Sequence, residues 1–178
     1  RSTLKNLNIL KYLIKGNTPI KLIFLFFLNK NRIRQKTFRT YLEEKAKFKR
    51  EIIDLNISSN WLSNKIPYLI STFNKLNIDN QRKLKILEIG SFEGLSAFFL
   101  LNYFKNATIK CVDTWMGSFE HQGLYNLHQI ESNFDSNTKR FNERINEFKG
   151  NSFLFFEQNQ EKEFDLIYVD GSHFSDDV

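Results

Sequence analysis

One cysteine and two prolines stand in the whole 178-residue chain, and no acidic side chain occurs before Glu43. The lone cysteine, Cys111, excludes an intramolecular disulfide framework and a zinc site made of several thiolates, and its apolar surroundings assign it to the core. Such thiol usage fits a reducing, cytoplasmic compartment. No apolar run reaches the roughly 20 residues that a bilayer-spanning helix needs. The short run at residues 20–28, IKLIFLFFL, also lacks the small-residue cleavage site of a secretory signal. Low-hydrophobicity disorder is excluded as well, because 41% of the residues are hydrophobic and 15% aromatic, enough to bury one substantial core.

What the chain does have is charge, unevenly placed. The net charge of +6 divides into 16 Lys or Arg against 5 Asp or Glu in residues 1–80, and 10 against 15 in residues 81–178. The first 42 residues hold ten basic groups with nothing to compensate them. The chain starts at an arginine and stops at Ser175-Asp176-Asp177-Val178 without a closing helix or turn, which leads us to expect a fragment.

Three regions follow from this division. Residues 1–35 hold two apolar-basic helical segments, 4–14 and 20–28, separated by the turn signal Gly16-Asn17-Thr18-Pro19. They suit a peripheral membrane contact, packing on the rest of the chain, or a homo-oligomer interface; acid-free basic leaders also occur as transit peptides. Residues 36–80 form a helical cap: a charged helix over 36–54, then a second helix over 61–76 with Pro67 in its first turn. Residues 81–178 form the cofactor-binding domain. Nucleic acid is not an expected partner, since the basic charge comes without a recognisable motif or an aromatic-basic platform.

The organising stretch is residues 83–96, KLKILEIGSFEGLS. A β-branched and leucine-rich run ends at Gly90, and Gly94 opens the apolar helix of residues 95–104, so the pattern predicts strand, tight turn, helix. A glycine turn lets backbone approach a ligand, and the N–H groups of the following helix face an anionic group there. Glu88 adds a negative charge better suited to a cationic or hydroxyl-bearing ligand than to a bare phosphate.

A second strand at 108–112 closes at Asp113, 23 positions after Gly90. That is close to the roughly 20-residue offset at which an acid on the neighbouring strand reaches the ribose hydroxyls of a nucleoside. The loop at 115–129 carries His121 and His128; a polar helix is predicted over 130–142, a third strand over 144–149, and a short helix through residue 160. The apolar run at 164–169 predicts a fourth strand buried on both faces, ending at Asp170. Right-handed crossovers put all these strand ends on one rim.

Leu87-Glu88-Ile89-Gly90-Ser91-Phe92-Glu93-Gly94-Leu95-Ser96, then Cys111-Val112-Asp113-Thr114-Trp115, then Phe164-Asp165-Leu166-Ile167-Tyr168-Val169-Asp170-Gly171-Ser172-His173 resemble, in that order, the class I S-adenosylmethionine-dependent methyltransferases, particularly their small O-methyltransferase-like branch. The resemblance covers residues 83–178. It implies an α/β fold with a Rossmann-like parallel sheet and flanking helices, truncated after the fourth strand and preceded by a helical segment. It also implies that Glu88, Gly90, Ser91 and Ser96 surround the methionine end of the cofactor, with Gly94 permitting the turn, that Asp113 binds the ribose, and that Asn151 and Ser152 lie near the adenine. Asp170 would lie beside the methionine portion and, in relatives that use a divalent cation such as Mg2+, would be a metal ligand. Catechol-methylating relatives carry a lysine base three residues beyond that acid; this chain has His173, whose ordinary pKa of about 6.5 suits a base. The implied acceptor is a hydroxyl on a small molecule.

Two other functions compete. A nicotinamide-dependent oxidoreductase also uses a glycine turn and an acid on the second strand, but its G-x-G-x-x-G fingerprint is not met, because the middle glycine is missing and Glu93 stands where pyrophosphate would lie. A non-catalytic cofactor-fold module with a basic membrane- or partner-binding N-terminus would have no need of Glu88, Gly90, Asp113 and Asp170 together.

Overall fold

The computed structural model describes residues 20–117, 126–159 and 163–171. Four strands, β1 (Lys85–Ile89), β2 (Thr108–Asp113), β3 (Ile145–Lys149) and β4 (Leu166–Val169), form one parallel sheet in the order β3-β2-β1-β4. The helices among the described residues are α1 (Ile20–Thr40), α2 (Leu42–Glu51), α3 (Ile66–Lys75), α4 (Leu95–Tyr103), α5 (Ile130–Thr138) and α6 (Ser152–Gln158), with a 3-10 turn at Lys139–Arg144 leading into β3. This is the Rossmann-like α/β arrangement. The helix α1 runs unbroken through residue 35, where the charge pattern alone separates a leader from a cap.

The chain lays down β1, β2 and β3 in one direction and then returns to the other side of β1 for β4. At such a reversal the connections leave the sheet toward opposite faces and open a crevice at the carboxyl ends of the two strands. The register aligns those ends: Ile89 pairs with both Val112 and Val169, and Asp113 pairs with Lys149. Gly90, Asp113, Gly150 and Asp170 therefore share one rim.

The core lies on one face of the sheet. Helix α4 is apolar on nearly every side, with Leu95, Ala97, Phe98, Phe99, Leu100 and Leu101 all buried. A helix of that composition must be covered all round. It sits over Ile86, Ile109 and Cys111 of the sheet and under the cap, where Phe48 of α2 meets Phe99 edge-on at 5.5 Å and Phe73 of α3 meets Phe104 at 5.0 Å. Each such phenylalanine stabilises the fold by roughly 1.5–3 kcal/mol through burial. The carboxyl end of α4 is tied down by Arg144, whose guanidinium donates to the carbonyls of Leu101, Phe104, Lys105 and Ala107 at 2.9–3.4 Å. Those carbonyls lack intrahelical partners, and a planar donor fork is suited to gather them.

The opposite face differs from what the apolar run at 164–169 predicts. Leu166 and Tyr168 pack on the main core, but Ile167 and Val169 are 55% and 63% exposed. Side chains alternate across a strand, and among the described residues this face carries only α6, whose Phe155 rests on Leu87 and Val112 toward the β2 side. An apolar run reports that both faces are built for burial without reporting that both are covered.

Candidate cofactor site

The rim is built from the turn after β1. Gly90 has φ +86°, and a Cβ there would lie 2.6 Å from the Asp170 carbonyl oxygen and the Gly171 Cα, so only glycine lets the turn pass the end of β4 this closely. The Asp170 N–H donates to the Ile89 carbonyl at 2.9 Å and holds the two strand ends together. Gly94, at φ +79°, precedes α4, and a Cβ there would meet Thr138 Cγ2 at 2.7 Å. It thus serves the turn, as the resemblance implies, and also the seating of α5.

Beneath this turn lies Glu88, fully buried at the end of β1. Its Oε2 accepts from the Ser91 hydroxyl at 2.6 Å and the Cys111 thiol at 3.4 Å, whereas Oε1 has no hydrogen-bond partner among the described residues. Burial pushes its pKa from the ordinary 4.5 up to about 7; Ser91, Ser96 and Cys111 oppose the rise, and Asp113 adds to it. Burial also raises the Cys111 thiol. Ser91, itself buried, spends its hydroxyl on Glu88, which places it as the support of that carboxylate.

Asp113, at the end of β2, holds the loops on either side of it. Its Oδ2 accepts from the Phe92 N–H and its Oδ1 from the Trp115 N–H, both at 2.8 Å. Both partners sit in the left-handed region, Phe92 at φ 47° and Trp115 at φ 51°, where non-glycine residues are uncommon. The Trp115 indole N–H closes the ring by donating to the Phe92 carbonyl at 3.0 Å. A carboxylate has about four acceptor positions, so among the described residues two remain open at Asp113.

Asp170 follows β4. It pairs with Lys65 from the cap, Nζ to Oδ2 at 3.2 Å, and accepts from the Tyr168 hydroxyl at 3.2 Å. Burial and Asp170 together raise the Tyr168 pKa, so its proton stays in place. Asn151 caps α6, its Oδ1 accepting from the Leu154 N–H at 2.7 Å, and Ser152 is the first residue of that helix. Both lie just beyond β3 on the same rim, next to Gly150, whose N–H donates to the Asp113 carbonyl at 2.9 Å. Ser96 lies in the first turn of α4. His173 lies outside the described residues, as does His121.

Sequence reasoning expects a cap over residues 36–80 but names none of the contacts that fasten it. Glu93 is buried and directed into the cap: its carboxylate accepts from the Ser58 N–H and hydroxyl, each at 2.6 Å, and from Asn133 Nδ2 at 2.9 Å. It therefore does not stand where a pyrophosphate would lie. Asn137 adds a reciprocal pair with the backbone of Asn56, at 2.8 and 3.0 Å. From the segment anchored in this way, Trp61 packs against Phe92 with ring centroids 5.4 Å apart, and Lys65 reaches Asp170. Residues 61 and 65 thus straddle the crevice between the β1 turn and the end of β4. Nothing in the spacing of Ser58, Trp61 or Lys65 pairs them with residues 31 to 105 positions later.

Among the described residues, no group of three or more His, Cys, Asp or Glu could hold a metal ion. Among the described residues, a buried carboxylate oxygen without a partner and an aspartate with spare acceptor positions, both beside a glycine turn, suit a group that is cationic at one end and hydroxylated at the other.

The crevice, the glycine turn and the two acids define a cofactor-binding α/β domain. A family model for "Methyltransferase domain" matches residues 87–178, more than half of the chain. The chain belongs to this family, the class I S-adenosylmethionine-dependent methyltransferases. No curated protein matches it in sequence. Solved structures similar to it include a cyclopropane-fatty-acyl-phospholipid synthase-like protein from Lactobacillus casei, 13% identical over 70% of this chain and 46% of that one, with a TM-score of 0.46. Another is coclaurine N-methyltransferase bound to N-methylheliamine and SAH, 13% identical over 93% of this chain and 54% of that one, with a TM-score of 0.40. The chain spans about half the length of these two proteins.

Proposed function

We propose that this chain binds S-adenosylmethionine in the crevice between the ends of β1 and β4 and directs its methyl group to a hydroxyl of a small-molecule acceptor. The observation that carries the cofactor assignment is Glu88 Oε1, a buried acceptor that has no partner among the described residues, directly beneath the glycine turn. An orphaned carboxylate oxygen in such a place costs free energy that a cationic ligand group would recover. The ammonium of the methionine end supplies that charge, and Asp113 takes the ribose hydroxyls with its free acceptor positions. Asn151 and Ser152 border the adenine. The bound cofactor supplies an electrophilic methyl group on a sulfonium.

Displacement at such a carbon needs chiefly alignment of the acceptor oxygen, the methyl carbon and the sulfur, which is worth several kcal/mol. The cap contributes to this by setting Trp61 against Phe92 of the β1 turn at the edge of the crevice. An acceptor hydroxyl must also lose a proton. His173, three residues after Asp170 in sequence, is the base we assign. Asp170 carries the Lys65 ammonium, with which a divalent cation at this carboxylate would compete.

Calorimetric titration with S-adenosylmethionine and S-adenosylhomocysteine, with NAD as control, tests the cofactor. Micromolar adenosyl binding that disappears in Asp113→Ala supports the assignment; preference for NAD by the folded chain overturns it. Transfer of labelled methyl to a panel of phenols, sugars and other small alcohols, compared between the unaltered chain and His173→Ala, tests the acceptor class and the base.

A further inference from the structure

Helix α1 presents two different faces. Ile23 is buried and Phe27 half-buried, one turn apart, and this side packs toward α3. On the outward side, Leu22, Leu25 and Leu28 are 54%, 41% and 51% exposed, with Phe24 beside them. At 100° per residue these leucines share an arc of about 120° with Arg32, Lys36 and Arg39 from the second half of the helix. The outward stripe is therefore apolar for its first turns and basic for its last ones. Lys21, Arg32, Lys36 and Arg39 form no ion pair with an acid among the described residues, and the chain offers no acid before Glu43.

We propose that this stripe docks on an anionic lipid surface, the leucines entering the headgroup boundary and the arginines and lysines meeting the phosphates. The helix is not long and apolar enough to cross a membrane. Lying flat, however, it combines the two signals that interfacial binding requires, apolar area and positive charge. A second copy is a poorer occupant: a parallel two-fold contact would set Arg32, Lys36 and Arg39 against their own equivalents, and an antiparallel one centred on Leu25 would pair the leucines but leave those basic groups with no acid to meet. Nucleic acid would use the basic half and leave the leucines in water. The lipid surface is the partner that uses both halves.

The test is sedimentation of the full chain with vesicles of phosphatidylcholine alone and of phosphatidylcholine with phosphatidylserine, over a range of salt, with circular dichroism to confirm folding. Binding to the phosphatidylserine vesicles only, weakened by salt, is expected. Removing Arg32 or Lys36 as the glutamine variant should weaken it roughly fivefold each, about 1 kcal/mol per basic group. Leu22→Ser with Leu25→Ser should abolish it. No binding by the folded chain would overturn the proposal. So would equal binding to neutral vesicles, binding that survives loss of the leucines, a self-association that these leucine substitutions dissolve in a chain that binds no vesicle, or tighter binding to duplex DNA. Because the charge variants lie on the surface and keep the core intact, they decide the matter even if the serine variant fails to fold.

Discussion

The Asp113 carboxylate holds Phe92 in the left-handed region through a hydrogen bond of 2.8 Å from the Phe92 N–H, while its other oxygen holds Trp115 in the same region. One side chain at the end of β2 thereby fixes the loop after β1 and its own loop, and with them the floor of the crevice.

Replacing that carboxylate should reveal both of its tasks. Asp113→Asn keeps one acceptor and turns an amide donor toward the other N–H, so stability should fall by about 1–3 kcal/mol. Affinity for S-adenosylmethionine should fall further than the loss of folded protein accounts for, at least tenfold, because ribose acceptors are lost as well. Thermal denaturation and titration on the same preparation separate the two effects.

Glu88 makes stability depend on pH in an unusual direction. Its folded pKa of about 7 lies above the ordinary 4.5, so between these values the folded chain holds the proton more tightly than the unfolded one. Its contribution to stability therefore declines as pH rises from about 4.5 to about 7 and is flat above that. The full effect is of the order of 3 kcal/mol as an upper bound. Glu88→Gln should flatten this slope in urea titrations across the range. The same ionisation prepares the site for a cation, so S-adenosylmethionine affinity should rise from pH 5.5 to about 7 in the unaltered chain and not in the variant.

Gly90→Ala should separate the ends of β1 and β4. The new methyl would lie 2.6 Å from backbone atoms of Asp170 and Gly171, at a φ of +86° that alanine resists. A loss of about 1–3 kcal/mol in stability is expected, together with loss of adenosyl binding. Retention of binding at full affinity would show that the close approach does not shape the site.

The roof should open when Glu93 loses its charge. Three hydrogen bonds from Ser58 and Asn133 converge on this buried carboxylate. Glu93→Gln turns a donor toward the donors of Ser58 and should cost about 2–4 kcal/mol. Limited proteolysis should then cut faster within residues 52–65 than elsewhere, while Lys65→Ala, which removes only a half-exposed ion pair, should change stability by less than about 1 kcal/mol.

Much of the sheet could be read from residue order because its signals are local. The run ending at Gly90, the acid closing β2 and the apolar β4 each announce a strand end within a few residues, and the parallel topology follows from the helices between them. The contacts that fasten the cap could not be read this way. Ser58 meets Glu93 across 35 positions and Lys65 meets Asp170 across 105, and polar residues at such distances leave no periodicity. Glu93 illustrates the difficulty: its place in the glycine turn is consistent with a ligand-facing acid, and only the docking of residues 56–65 gives it a different partner.

The guanidinium of Arg144 has a consequence for the order in which the chain assembles. It satisfies carbonyls at the end of α4 and the approach to β2 that precede it by 37 to 43 positions. Until Arg144 arrives with β3, the unit β1–α4–β2 has an unfinished helix end, so closing a loop of about 40 residues should be rate-limiting for native packing. Arg144→Ala should therefore slow refolding as well as speed unfolding, a signature visible in stopped-flow fluorescence from the neighbouring aromatic core.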